Sequence, residues 1–176
     1  MLFFLSLVML AGCGAGSVSA GERILTGVIV RVVSHDAKAI GSNVGGAFIR
    51  IKDLETGAIL AQGKQEGGTG DTDRIMNRPH RRGEPVYGTP GAAFFQAEIP
   101  LERPTRVVIS AEAPLAYGQA MQQGSKTMTL IPGNHMEGEG VIIELYGLIV
   151  NILEPPATGM LKRGEEIPVR VEVKML

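Results

Sequence analysis

Glycine and proline interrupt this chain too often for long helices to form. The sequence has 24 Gly and 10 Pro among its 176 residues, and both residue types end regular secondary structure or mark turns. Between these interruptions lie short runs that are rich in β-branched residues, which favour an extended backbone. The pattern therefore predicts a mostly β fold of short strands joined by turns.

The predicted strands differ in how their apolar residues are arranged. The run from Glu22 to Val33 is almost continuously apolar, which is typical of a central strand that is buried on both faces. From Ile167 to Met175 apolar and polar residues alternate strictly, and Pro168 lacks a backbone donor, so we expect an edge strand there. Further strands are predicted at 94–101, 106–111, 126–132, 141–146 and 148–153.

Local signals also predict how some of these strands are connected. The alternating segments 47–52 and 58–64 are joined by the Gly-containing sequence DLETG at 53–57, which is typical of a β-hairpin. Gly147 separates two predicted strands and is expected to form a bulge or bend. Only residues 115–123 have a composition that suits a short helix.

The number of strands leads to a prediction of the fold class. A strand with one apolar face must cover that face, and a second sheet is the usual way to do so. We therefore predict an all-β fold, an antiparallel β-sandwich of about seven to eight strands, with a closed barrel as the alternative. Residues 22–176 have the length of a single domain.

Two stretches resemble known modules. The sequence AFIRIKDLETGAILAQGK, followed by AAFFQAEIPLERPTRVVISAEAPL, resembles the transthyretin-like and immunoglobulin-like modules of exported bacterial proteins. In those modules a hairpin with a Thr-Gly turn precedes a strand that carries an aromatic residue and a Pro-containing turn. The resemblance implies an adhesive, structural or carrier-like role without catalysis.

The N-terminus carries a sorting signal. An uncharged apolar run at 2–10 ends in the tetrapeptide LAGC at 10–13, and such a run is too short to span a bilayer as a helix. The tetrapeptide resembles the lipobox of bacterial lipoproteins, which implies a signal peptide at 1–12 and a membrane anchor through lipid on Cys13. The small and polar residues 13–21 then form a flexible tether. Cys13 is the only cysteine, so an internal disulfide is excluded.

The same region leaves a second processing site open. Val18, Ser19 and Ala20 have the small-residue spacing of an ordinary signal-peptidase site. Cleavage after Ala20 would release a soluble secreted or periplasmic protein without Cys13. In the lipoprotein interpretation, Gly14 follows the cysteine, and the resemblance to Gram-negative lipoproteins then implies the periplasmic face of the outer membrane.

The overall charge excludes one class of partner. The formal net charge is −1 and the chain has no Trp. A chain of this balance neither attracts nucleic acid electrostatically nor offers a surface on which bases stack. We therefore expect no nucleic-acid partner. Separately, we expect no bound cofactor.

The longest segment without a predicted strand, residues 64–91, is the first candidate for a binding site, because long irregular segments are often functional. It is rich in cationic residues, whose guanidinium groups can bind carboxylates or phosphates of a partner or a lipid headgroup. The alternative is a solvated loop whose charges pair weakly with one another. The candidate partner-binding residues are Arg74, Arg78, His80, Arg81 and Arg82.

Two weaker patterns suggest a metal. Asp71 and Asp73 resemble the start of a calcium loop, although its later ligands are missing. His135 and Met136 are adjacent in a predicted turn, and imidazole and thioether groups suit copper(I). The sequence also lacks GxSxG, HExxH and P-loop motifs, so we expect that the protein is not an enzyme.

These observations predict a membrane-anchored exported lipoprotein with a structural or protein-interaction role in the cell envelope. The expected partners are the membrane, through lipid on Cys13, and another envelope protein. The alternative is a periplasmic carrier module that binds a ligand or a metal, copper or calcium.

Overall fold

The computed structural model describes residues 21–35, 37–156, 158–160, 162–164 and 166–176. The signal peptide at 1–12, the lipidated Cys13 and all of the tether except Gly21 lie outside these residues. No helix in the described part is long and apolar enough to cross a membrane. The strands are β1 (Ile24–Ser34), β2 (Ala47–Asp53), β3 (Ile59–Gln65), β4 (Phe95–Leu101), β5 (Thr105–Ala113), β6 (Gln122–Leu130), β7 (Met136–Leu145), β8 (Leu148–Glu154) and β9 (Arg170–Met175).

The strands form three sheets. One has the order β4-β1-β7, the second has the order β3-β2-β5-β6, and the third is a two-stranded ribbon of β8 and β9. The prediction of a mostly β fold is confirmed, and so is the central position of β1. The described residues contain nine strands, against the seven to eight predicted.

One pair of strands runs parallel. Strand β1 pairs antiparallel with β4, where Val28 lies opposite Ala97, but parallel with β7, where Val32 lies opposite Ile143. The predicted antiparallel arrangement is therefore wrong for this pair. Alternation of apolar residues defines the two faces of a strand and carries no information on the direction of its neighbour, so the sequence pattern could not distinguish the two cases.

The two larger sheets share one hydrophobic core. Val30 in β1 and Ile143 in β7 belong to the same buried cluster as Ile51 in β2 and Ile109 in β5, and none of the four is more than 4% exposed. Burial of such aliphatic side chains is the main term that stabilises a fold of this size.

The predicted hairpin and its turn are confirmed. Strands β2 and β3 pair antiparallel, and the Asp53 carboxylate accepts hydrogen bonds from the backbone N–H groups of Glu55 (2.7 Å) and Thr56 (3.1 Å). These bonds hold the pKa of Asp53 below its ordinary value, because they stabilise the charged form. Gly57 completes the turn with a φ of +74°, which Gly adopts without steric cost.

The predicted helix at 115–123 is wrong. This segment contains only a 3-10 turn at Gly118–Ala120, and β6 already begins at Gln122. The α-helix of the described residues, α1 (Thr72–Met76), lies instead in the segment that was predicted to be irregular. Its five residues are too few to produce a helical period in the sequence, and its start depends on a capping residue rather than on apolar spacing.

A buried amide joins the two larger sheets. Gln65, the last residue of β3, is completely buried. Its side chain accepts a hydrogen bond from the Val32 N–H (2.7 Å) and donates to the carbonyl oxygens of Val32 (2.9 Å) and Ile40 (3.0 Å). The amide thus satisfies backbone groups of β1 and of the segment after it, which is the condition for burying a polar side chain at all.

The ribbon of β8 and β9 branches off after Gly147. This residue has a φ of +146° and separates β7 from β8, which belong to different sheets, as the predicted bend requires. Ile149 and Leu176 fix the ribbon to the body, since both lie in the main core and are at most 1% exposed. Strand β9 pairs only with β8 in the described residues, which agrees with its predicted edge position.

Candidate functional site

The segment that connects β3 to β4, called here the 66–94 loop, closes on itself. Glu66 pairs antiparallel with Phe94, and Gly68 pairs in parallel with Ala92. The Gly68 N–H also donates to the carbonyl oxygen of Gly91 at 2.7 Å. These contacts bring the two ends of the loop together, so the residues between them project as one folded unit.

Helix α1 is the first element inside the 66–94 loop. The Asp71 carboxylate caps it by accepting a hydrogen bond from the Arg74 N–H (3.1 Å), which satisfies one of the free donors at a helix start. The Asp71 N–H donates to the Thr89 hydroxyl (2.9 Å), and Ile75 is buried. Just before the helix, Gly70 has a φ of +79°, and a Cβ there would lie 2.8 Å from the Thr89 oxygen, so the loop needs glycine at this position.

Two charged residues of the body hold the loop. Arg31 in β1 is 7% exposed and donates to the carbonyl oxygens of Ala93 (3.2 Å) and Gly138 (3.4 Å). Glu139 in β7 accepts hydrogen bonds from the backbone of Tyr87 (3.1 Å) and Gly88 (2.9 Å). The second half of the loop is therefore attached to the three-stranded sheet.

Arg31 is held in an unusual environment for a guanidinium. Its Nε atom is buried and makes no hydrogen bond with the described residues, and its guanidinium carbon lies 5.3 Å from the centre of the Phe94 ring. Burial lowers the pKa of Arg31 from its ordinary value, while the charge of Glu139 opposes this change. Its two hydrogen bonds and its contact with the Phe94 ring join β1 to the end of the loop and to β7.

The outer part of the loop encloses a surface cavity of about 480 Å³. Four of the five predicted partner-binding residues lie on its wall, and Arg82 is not among the lining residues. The cavity is lined by Asp71, Arg74, Arg78, Pro79, His80, Arg81, Glu84, Pro85 and Val86.

The cationic residues of the cavity are paired to different degrees. Arg78 contacts the Asp73 carboxylate at 2.7 Å, and the Asn77 and Arg78 hydrogen bonds to this group hold the pKa of Asp73 below its ordinary value. Arg74 lies 3.9 Å from Glu84. Arg81 and Arg82 are exposed and form no ion pair with any residue that the structure describes.

The predicted metal-binding residues are not brought together. Asp71 caps α1, and Asp73 is bound to Arg78. His135 and Met136 lie at the start of β7, where the Nδ1 atom of His135 accepts a hydrogen bond from the Gly27 N–H at 2.9 Å. Within the described residues no group of three or more His, Cys, Asp or Glu side chains could hold a metal ion.

Sequence reasoning missed the residues that position the loop. Arg31 and Glu139 are far from the loop in sequence. Gln65 is the last residue of β3, and no sequence pattern marks it as buried. One signal was present for Arg31, because it is the only charged residue in the run VIVRVV at 28–33. A charge inside a strand that is otherwise apolar on both faces must find partners in the fold.

Comparisons with known proteins found no match to this chain. No family model matches the chain, and neither a curated protein nor a solved structure matches it. The interpretation of the site therefore depends on its own geometry.

Proposed function

We propose that this chain is an exported, lipid-anchored envelope protein whose body is a non-catalytic β-sandwich that binds an acidic segment of another protein. The anchor is the lipid on Cys13, and the binding site is the cavity of the 66–94 loop. The observation that carries the proposal is the position of Arg74, Arg78, His80 and Arg81 around one cavity on a loop fixed to the body.

The strand order favours one of the two modules that the sequence resembles. In an immunoglobulin constant-type sandwich the first strand pairs with the second. Here β1 pairs with β4 and β7, while β2 pairs with β3 and β5. This order supports a transthyretin-like sandwich of β1 to β7, to which the ribbon of β8 and β9 is an addition.

The charges of the cavity support an anionic partner. Arg74 and Arg78 already have carboxylates nearby, which orient their side chains. Arg81 and Arg82 are exposed and have no such partner in the described residues, so their guanidinium groups are available to an incoming carboxylate, with which they can form two parallel hydrogen bonds. Because the loop is already fixed to the body, the entropic cost of ordering it on binding is small.

The location is tested by lipid labelling. Cells that make the chain are fed a labelled fatty acid, and the wild type is expected to incorporate label into its processed form, whereas Cys13→Ala does not. An unlabelled, soluble wild type would show that cleavage after Ala20 prevails and would overturn the anchorage.

The binding site is tested by crosslinking in the intact envelope. A photoreactive residue in place of Val86, which lines the cavity, is expected to link the chain to one discrete protein, which mass spectrometry identifies. Arg81→Ala should reduce this product strongly, and Arg106→Ala, an exposed arginine on β5, is the matched control and should leave it unchanged. Equal products for both variants would overturn the assignment of the site.

A further inference from the structure

The ribbon of β8 and β9 presents an apolar face to solvent. Cross-strand pairing sets Leu148 opposite Met175, Val150 opposite Val173 and Ile152 opposite Val171, so all six side chains lie on the same face. Each of them is between 41% and 66% exposed. No polar residue interrupts this set, which is called here the ribbon face.

The polar face of the ribbon is the one that meets the body. Asn151 accepts a hydrogen bond from Gln119 (2.7 Å) and donates to Glu172 (3.3 Å). The Lys174 ammonium lies 5.8 Å from the centre of the Tyr117 ring. The polar side is thus held against the body, and the ribbon face is exposed among the residues that the structure describes.

The size of the ribbon face fits an interface between two chains. Six aliphatic side chains that are each about half exposed present on the order of 500 Å² of apolar surface, and apolar patches of this size on soluble proteins are often functional. Two such faces in contact bury about 1,000 Å², which reaches the lower limit for a specific protein interface.

The lack of charged side chains on the ribbon face favours a second copy of this chain over a charged surface. Arg170 is bound to Glu154 (3.1 Å) and Lys174 to Glu172 (3.0 Å), and Glu172 and Lys174 lie on the polar side of the ribbon. The six apolar residues therefore offer no cation to anionic lipid, and two such faces can approach without repulsion between like charges. A two-fold axis pairs the same patch on both molecules, and a patch without polar atoms leaves none unsatisfied when it is covered.

We infer that the ribbon face is a homodimer interface, in which the ribbons of two chains pack face to face around a two-fold axis. This assignment is independent of the cationic cavity, which lies on the 66–94 loop. The dimer presents two such loops, one from each chain.

The inference is tested by disulfide crosslinking of the full chain in the envelope. Val173→Cys is expected to give a dimer linked through residue 173 of both copies, as identified in the linked peptides. Thr127→Cys, at an exposed position of β6, is the matched control and should not give this product. The absence of a 173–173 link under oxidising conditions would overturn the proposal.

A second measurement uses the purified full chain in sedimentation equilibrium. The wild type should sediment as a monomer–dimer equilibrium, and Ile152→Asp should weaken the dimer by about 100-fold or more, because each dimer contains two copies of the substitution. Thr127→Asp should leave the equilibrium unchanged, and thermal melts followed by circular dichroism check that both variants are folded.

Three results would contradict the homodimer. The wild type could remain a monomer at all concentrations, or form open-ended assemblies that do not stop at two chains. It could also stay monomeric but bind vesicles of phosphatidylethanolamine and phosphatidylglycerol in a manner that Ile152→Asp abolishes, which would assign the ribbon face to a membrane instead.

Discussion

Strands β5 and β9 alternate apolar and polar residues in the same way, but their apolar faces have opposite environments. In β5, Val107 and Ile109 are completely buried. In β9, Val171 and Val173 are 46% and 58% exposed. The same period-two pattern therefore produces a core strand in one region and a solvent-exposed apolar strip in the other.

The difference comes from the neighbours of each strand. Strand β5 lies between β2 and β6, and the apolar face of its sheet contributes to the core shared with the sheet of β1. Strand β9 has only β8 beside it in the described residues, and the body contacts the polar side of the ribbon. Alternation thus defines which residues share a face, and the tertiary arrangement decides whether that face is covered.

The largest expected effect compares the same substitution in the two regions. Ile109→Ala leaves a cavity in the core and should lower the free energy of unfolding by about 4 kcal/mol. Ile152→Ala, on the ribbon face at 66% exposure, should change it by less than about 0.5 kcal/mol. Denaturant unfolding, at the lowest protein concentration that the signal allows, measures both values.

The concentration matters because the proposed homodimer covers Ile152. At high concentration the cost of Ile152→Ala should rise, since dimer formation contributes to the stability of the folded chain, whereas the cost of Ile109→Ala should not. A cost for Ile152→Ala as large as that for Ile109→Ala at every concentration would show that the body itself covers the ribbon face.

Local patterns were sufficient for much of the fold. The hairpin at 47–64 was predicted from a turn sequence and two short alternating segments, all of which lie close together in the chain. The central position of β1 followed from its continuous apolar run. By contrast, the parallel pairing of β1 with β7 joins residues about a hundred positions apart, as between Val32 and Ile143, and no local signal encodes such a contact.

The candidate site also contains residues that the local sequence could identify and residues that it could not. The arginines at 74, 78 and 81 could be chosen from sequence because they cluster within one segment, and the structure places them around one cavity. The residues that fix this segment, Arg31 and Glu139, contact it from other strands. Their role depends on the packing of the three-stranded sheet against the loop, which a pattern of residue types does not contain.

The next largest effect on stability is expected for Gln65, a polar residue in the buried interior whose side chain must be hydrogen-bonded. Gln65→Leu keeps a side chain of similar size but removes the partner of the Val32 N–H and of the Ile40 carbonyl oxygen, whereas the Val32 carbonyl oxygen still accepts a hydrogen bond from the Ile40 N–H (3.0 Å). Each unsatisfied buried group costs about 1–3 kcal/mol, so we expect a loss of about 3 kcal/mol in the free energy of unfolding. Denaturant unfolding again provides the measurement.

The matched control for Gln65→Leu lies on the same strand. Gln62 is exposed, and its side chain accepts a long hydrogen bond from Arg50 at 3.4 Å, so Gln62→Leu should leave the stability nearly unchanged. If the two substitutions had equal effects, the hydrogen bonds of Gln65 would not contribute to joining the sheets.

The smallest effect concerns the exposed pair of Asp73 and Arg78 in the 66–94 loop, which serves as a surface counterpart to the buried contacts. Hydrogen bonds from Asn77 (3.2 Å) and Arg78 (2.8 Å) lower the pKa of Asp73. A lowered pKa in the folded state means that the stabilising contribution is complete above the ordinary pKa of Asp, about 4, and is lost as the pH falls through the folded value.

Asp73→Asn should therefore lower the melting temperature slightly at neutral pH and have no such effect in strong acid, where the wild-type carboxyl is protonated. An NMR titration of the Asp73 carboxyl provides the direct measurement, and Arg78→Gln should move its pKa only part of the way toward the ordinary value, because Asn77 still donates its hydrogen bond. The effect is small because water and salt screen an exposed pair. A melting-temperature difference that persists unchanged into strong acid would show that Asp73 stabilises the loop by packing rather than by its charge.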